Sequence, residues 1–342
     1  MTVPVLHPLM IIPRILADGD SIGVTAPSFG VTDPTDVARF DNAVLRLGER
    51  GHPVIMTPDV FTADETGRSA SAEVRVGELN SLLADPDVGY IVSAKGGDYQ
   101  FEMLPLMDWG LLEDNPKWIQ GYSDNTTLLF KITAEHDIAT IYGGNFGDYG
   151  MDPWHDSILA NIELVEGRRT VQRSFPYHEV GFADRITGLE GIREEEPTVW
   201  RSDCGDCSFK GRLIGGCMDV LEWFHRKGTA DPLGFVSRYS GEGIVWYMET
   251  YDMDGDRIRT MLNGMADDGW FDGATGFVFG RPLFYQGPDY MDTVCDALSR
   301  FDVPKVFDAD VGHKAPRMTF VNGAVTTFDV RDGACTMTTE FH

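Results

Sequence analysis

A serine, a histidine and a glutamate, each at the end of an apolar run, are the residues of this chain whose types and positions could carry chemistry. Ser123 lies in "GYSD", where the run Trp118-Ile119 stops and "DNTTLLF" opens a helix-like pattern. A serine on a strand–turn–helix corner can hold its hydroxyl clear of the sheet, with amides at the helix start available to a developing oxyanion. The competing role is a helix cap, for which Ser and Asp are preferred. Asp124 or Asn125 could cap equally well, which would free Ser123. Asn125 also stands where G-x-S-x-G would need its second glycine, so the corner does not match the α/β-hydrolase pattern.

A nucleophilic serine needs a base, and the base needs an orienting acid. Among eight histidines, His313 in "ADVGHKAP" follows a strand-like run in a Gly-flanked loop with Pro316 behind it. Glu249 closes the apolar run of "GIVWYMET", where an unpaired carboxylate would be costly. The plainer alternatives are a loop histidine facing solvent and a strand-end carboxylate paired with an arginine. "AKGGDY" (94–99) matches neither G-x-G-x-x-G nor G-x-x-x-x-G-K-[ST], which sets nucleotide cradling aside. Its Gly96 and Gly97 would instead let backbone N–H groups approach a substrate oxygen. "DMDGD" lacks the ligand spacing of an EF-hand and reads as a solvated turn. Cys204 and Cys207 form a C-x-x-C without a second pair, a weak pointer to zinc or redox chemistry.

The elements that must position these residues alternate. "SIGVTA", "PVIMTP", "VGYIVSA", "WIQGYS" and "IATIYGG" read as strands. Between them, "DVARFDNAVLRLGERG", with Val37, Phe40, Val44, Leu45 and Leu47 at helical spacing, "ASAEVRVGELNSLLADP" and "NTTLLFKITAEHD" read as helices. Such alternation predicts an α/β fold with a parallel, flavodoxin- or Rossmann-like sheet over 1–165, and ligands bind beyond the carboxyl ends of such strands. Residues 166–210 are polar and aperiodic and read as a linker with loops or short strands. A smaller, β-rich mixed α/β domain is expected over 211–342.

Fifty-four acidic against 28 basic residues give a formal net charge of -26, which argues against a nucleic-acid polymer as partner. No apolar run reaches membrane-spanning length, so no transmembrane segment is expected. The N-terminal apolar patch lacks a basic flank and contains Pro4, Pro8 and Pro13, which argues against a cleaved signal. Five cysteines do not suggest a secreted disulfide framework, and a cytoplasmic location is the default expectation.

With these pieces assembled, the chain resembles the LD-carboxypeptidase family of serine peptidases, which includes muramoyltetrapeptide carboxypeptidases and microcin C immunity peptidases. The resemblance is carried, in order, by "LADGDSIGVTAPS", "SAKGGDYQFEMLPLMDW", "IQGYSDNTTLL", "GRLIGGCMDVL", "WYMETYD" and "DADVGHKAP". It implies Ser123 as nucleophile, His313 as general base and then acid, and Glu249 as the residue orienting His313. It also implies an oxyanion hole of the Gly97 and Asp124 N–H groups, with Gly96 beside the substrate. No metal or cofactor is implied, and a homodimer is. The substrate would be an L,D-peptide bond in a murein tetrapeptide or an amide of a microcin C-like peptidyl- or aminoacyl-nucleotide. Trp200, in "EEEPTVWRSD", could stack on a nucleobase or merely anchor the linker. A non-catalytic two-domain ligand-binding protein and an α/β-hydrolase-like esterase are the competing classes.

Overall fold

The computed structural model describes residues 10–182 and 184–341. The first nine residues of the N-terminal apolar patch and His342 lie outside the described residues.

Five strands of the first sheet run parallel, in the order Thr140–Tyr142, Trp118–Gly121, Val88–Ser93, Ser21–Thr25 and Val54–Met56. Every residue of Ser21–Thr25, Val88–Ser93 and Trp118–Gly121 is buried, as expected for a parallel sheet covered on both faces. The intervening helices are Pro34–Glu49, Ala72–Ala84, the short Trp109–Asp114 and Thr126–His136. Asp33 and Ser71 cap the first two with their side chains. The first helix buries Arg39, Phe40, Ala43 and Leu47, whereas Val44 and Leu45 face outward, so its apolar stripe is narrower than the spacing suggested.

A sixth strand, Phe320–Asn322, joins this sheet from near the other end of the chain, antiparallel to Thr140–Tyr142. The segment assigned by sequence to the second domain therefore completes the first domain's sheet.

Among the described residues, the second sheet has eight strands. Its centre is the parallel set Cys207–Cys217, Ile244–Glu249, Ala274–Gly280 and Lys305–Ala309. Antiparallel strands flank that set, among them Val325–Arg331 and Ala334–Glu340. The aperiodic stretch 166–210 supplies both edges, Val171–Arg173 and Arg201–Ser202. Helices Met218–Lys227, Gly255–Asp267 and Tyr290–Ala297 accompany the parallel strands.

The two sheets approach where Cys207–Cys217 meets helix Thr126–His136. The Cys217 amide donates to Thr126 Oγ1 at 2.9 Å. Gly216 sits at φ 151°, and a Cβ there would stand 2.5 Å from Thr126 Cγ2. A side chain at that position would push the strand off the helix that follows Ser123. No helix among the described residues is long and apolar enough to cross a membrane.

Candidate active site

Ser123 follows Trp118–Gly121 by two residues and has φ 64°, in the left-handed region that a non-glycine residue enters only when its surroundings hold it there. A 3-10 turn, Ser123–Asn125, and helix Thr126–His136 come next. Neither Asp124 nor Asn125 caps the helix with its side chain. Asn125 Nδ2 instead donates to the carbonyls of Lys95 and Tyr122 and to Asn145 Oδ1. Asp124 Oδ2 accepts from Ser28 Oγ at 2.6 Å and from the amides of Tyr99 and Gln100 at 3.0 and 2.9 Å. Burial pushes the Asp124 carboxyl up, against the pull of these donors. The bonds lock the Gly-Gly turn to the serine turn.

The turn itself must lie very close. A Cβ on Gly96 would stand 3.0 Å from Ser123 Cβ and 3.6 Å from the Asp124 amide nitrogen. Gly97 has φ 149°, and a Cβ there would strike Ser28 Oγ at 2.4 Å. Gly96, Gly97, Ser123 and Asp124 all line one cleft.

From the second sheet, Glu249 ends strand Ile244–Glu249 with no exposed surface, and His313 sits in the loop after Lys305–Ala309, 4% exposed. His313 Nε2 is 3.0 Å from Ser123 Oγ, and His313 Nδ1 is 2.7 Å from Glu249 Oε2. Burial alone would raise the Glu249 carboxyl. The charge of His313, with hydrogen bonds from His313, Tyr142 and Cys217, outweighs it and leaves the group below its ordinary value. A buried carboxylate held ionised beside an imidazole fixes which ring nitrogen carries the proton.

Tyr142, which the sequence reading did not single out, completes the arrangement. Its hydroxyl donates to Glu249 Oε1 at 2.5 Å and accepts the Ser123 N–H at 3.0 Å. Serine, histidine, glutamate and tyrosine thus form a closed ring of hydrogen bonds between the two sheets. The sequence signal was only a tyrosine at the end of "IATIY", which β-propensity explains equally well.

Rings and a guanidinium brace the histidine. Tyr122 and Tyr251 lie 5.2 and 5.0 Å from the His313 ring, centroid to centroid, and Phe182 lies 6.4 Å away. The Arg317 guanidinium sits 4.3 Å over Tyr122 and pairs with Asp148 at 3.1 Å. It also donates to the carbonyls of Gly312 and His313.

The cleft has a volume of about 650 Å³, and its walls include Phe29, Phe101, Trp223 and Tyr251. Trp200 is not on those walls. It is 2% exposed, and its indole N–H donates to Asp310 Oδ2 at 3.0 Å, so it anchors the 166–210 stretch, and the nucleobase-stacking alternative is corrected. Cys204 and Cys207 are free thiols, and among the described residues no group of three or more His, Cys, Asp or Glu side chains could hold a metal.

Comparison with known proteins accords with this architecture. Residues 22–143 match the LD-carboxypeptidase N-terminal domain and residues 210–328 the LD-carboxypeptidase C-terminal domain. The chain belongs to the LD-carboxypeptidase family. It is 30% identical to the microcin C7 self-immunity protein MccF of Escherichia coli, over 98% of this chain and 97% of that protein. It is 24% identical to the "Probable murein peptide carboxypeptidase" of Bacillus subtilis, over 78% of this chain and 73% of the relative. The wild-type MccF structure superposes with a TM-score of 0.80 at 22% identity, covering 98% of this chain and 99% of the other. MccF has also been solved with aspartyl sulfamoyl adenosine, with the same TM-score, identity and coverage. Family membership makes this LD-carboxypeptidase-type chain a hydrolase of the peptidase class.

Proposed function

We propose that the chain hydrolyses an amide bond through Ser123, His313 and Glu249. The reading rests on the 3.0 Å contact of His313 Nε2 with Ser123 Oγ, made by a serine held at φ 64°. Ser123 Oγ attacks the amide carbonyl carbon as His313 Nε2 takes its proton. Glu249, bonded to Nδ1, holds the imidazole in register and stabilises its cationic form. The oxyanion lodges between the Gly97 and Asp124 N–H groups. His313 then gives its proton to the departing amine, and water, activated by the same imidazole, releases the acyl group.

For the substrate, the end-to-end match to MccF and the aromatic walls favour an amide of an aminoacyl- or peptidyl-nucleotide over an L,D-peptide bond. The shorter match to the murein peptide carboxypeptidase keeps the L,D-peptide as the second reading. The cytoplasm, where nucleotide conjugates and recycled murein peptides are both found, is the site of action under either reading, and a homodimer is its expected form.

The deciding experiment measures amine release from an aminoacyl sulfamoyl adenosine and from an L,D-tetrapeptide side by side, with Ser123→Ala as control. Turnover of the first, abolished in the variant, supports the reading. Turnover of the peptide alone moves the assignment to the second reading. Ligand binding without turnover of either points to a non-catalytic binding protein, and turnover of aryl esters alone to an esterase.

A further inference from the structure

Asp219 has no part in the Ser–His–Glu arrangement, yet it lines the same cleft as Ser123 and His313. It lies in the first turn of helix Met218–Lys227, where a carboxylate is favoured by the helix dipole. Its side chain nevertheless reaches across to the segment after Glu249. Oδ2 accepts from Thr250 Oγ1 and from the Tyr251 amide, both at 3.1 Å, and from Cys217 Sγ at 3.3 Å. All three donors converge on one oxygen. Among the described residues no protein donor reaches Oδ1, so the carboxylate is fixed in orientation with one acceptor left over.

Its surroundings reinforce that charge. Asp98 and Asp252 also line the cleft, both exposed, and among the described residues no lysine or arginine does. The nearby cations are committed elsewhere: Lys95 pairs with Asp36, Arg317 with Asp148, and Arg257 with Glu222 at 2.7 Å and, more loosely, with Asp252 at 3.9 Å. A ligand carboxylate in this cleft would meet Asp219 and Asp98 with no lysine or arginine on the walls among the described residues to receive it, whereas an ammonium would find a pre-oriented acceptor.

Resting on the hydrolase reading above, we propose that Asp219 is a specificity residue: the cleft selects amide substrates bearing a positively charged group near the scissile bond and discriminates against acidic ones. Trp223 and Tyr251 beside it offer aromatic faces to the same cation.

The test uses matched lysyl, leucyl and glutamyl sulfamoyl adenosines, and tetrapeptides with lysine, leucine or glutamate before the terminal D-alanine. Wild-type kcat/KM is expected to fall in the order lysyl, leucyl, glutamyl, with roughly tenfold or more between the extremes. Asp219→Asn should cut the lysyl-to-leucyl ratio of kcat/KM on the order of tenfold. If Asp219→Asn fails to fold, Asp98→Asn should narrow the lysyl-to-glutamyl ratio by about twofold to threefold. Calorimetry on Ser123→Ala reads the same preference without chemistry. Glutamyl ligands binding as tightly as lysyl ones, or no ligand binding at all, overturns the proposal. Preserved binding order without turnover in the wild type supports the specificity and counts against the hydrolase reading alone.

Discussion

Tyr142 and Glu249 belong to different sheets, yet the phenol donates to the carboxylate at 2.5 Å while accepting the Ser123 amide at 3.0 Å. One hydroxyl therefore senses the position of both ends of the Ser–His–Glu line. Burial pushes the phenol well above its ordinary value, the Glu249 charge adding to the effect, so it stays protonated and able to donate.

Removing that hydroxyl leaves a half-buried amide and a buried carboxylate each short of a partner. Tyr142→Phe should lower kcat about tenfold to a hundredfold with a small change in KM, at a stability cost of about 1–3 kcal/mol. Steady-state kinetics and thermal melts on the same preparation check this. Unchanged kcat would reduce Tyr142 to a packing residue.

Arg317 grips the loop that carries His313 through two carbonyls, stacks on Tyr122 and pairs with Asp148 from the first domain. Arg317→Met should lower kcat about tenfold with KM nearly unchanged. Arg317→Lys should recover only part of the loss, because an ammonium cannot fork between carbonyls and stack at once. A loss confined to KM would mean that the guanidinium serves substrate binding instead.

Asp59 gives a pH signature away from the site. Burial raises its carboxyl from 3.8 to about 7, Glu78 adding to the rise and the Thr57 hydroxyl opposing it. Because the folded value is the higher one, the native state binds more protons than the unfolded chain between these pH values. Stability therefore falls as pH climbs from about 4 to about 7, and the penalty is complete above that. Asp59→Asn removes the penalty. Its melting temperature relative to wild type should be higher at pH 8 than at pH 4, by at least about 2 °C. An equal offset at both values would show that Asp59 does not titrate in this window.

Trp200 separates architecture from catalysis. Trp200→Phe deletes the indole N–H that Asp310 Oδ2 accepts, while the Phe175 amide still reaches that oxygen at 3.1 Å. A loss of about 1–3 kcal/mol in denaturant unfolding is expected, with KM for a nucleotide-bearing substrate unchanged. A raised KM would restore a role in binding.

The parallel sheet was legible because its strands are short apolar runs between helices of clear periodicity, a pattern local enough to read residue by residue. Ser123, Glu249 and His313 stood out for a related reason: each follows such a run, at the end where ligands gather. What local pattern could not carry was pairing between distant segments. "MTFVN" offers nothing that distinguishes an edge strand of the first sheet from one of the second, and the choice is made by contact with Thr140–Tyr142. Tyr142 was missed on the same ground, since its partner lies 107 residues away. Trp200 was ambiguous because an indole suits a ligand face or a core equally, and only the buried Asp310 beside it decides.

Strand Phe320–Asn322 carries a consequence for how the chain comes into being. It closes the edge of the sheet that bears Ser123 and Tyr142, and it lies only a few residues past His313. During synthesis, the segment up to Tyr142 can arrange its parallel strands but must wait, one edge bare, for a strand made long after it. The same late stretch delivers the histidine. The order of translation thus acts as a safety catch, withholding a working nucleophile until the chain has been made at least as far as Asn322.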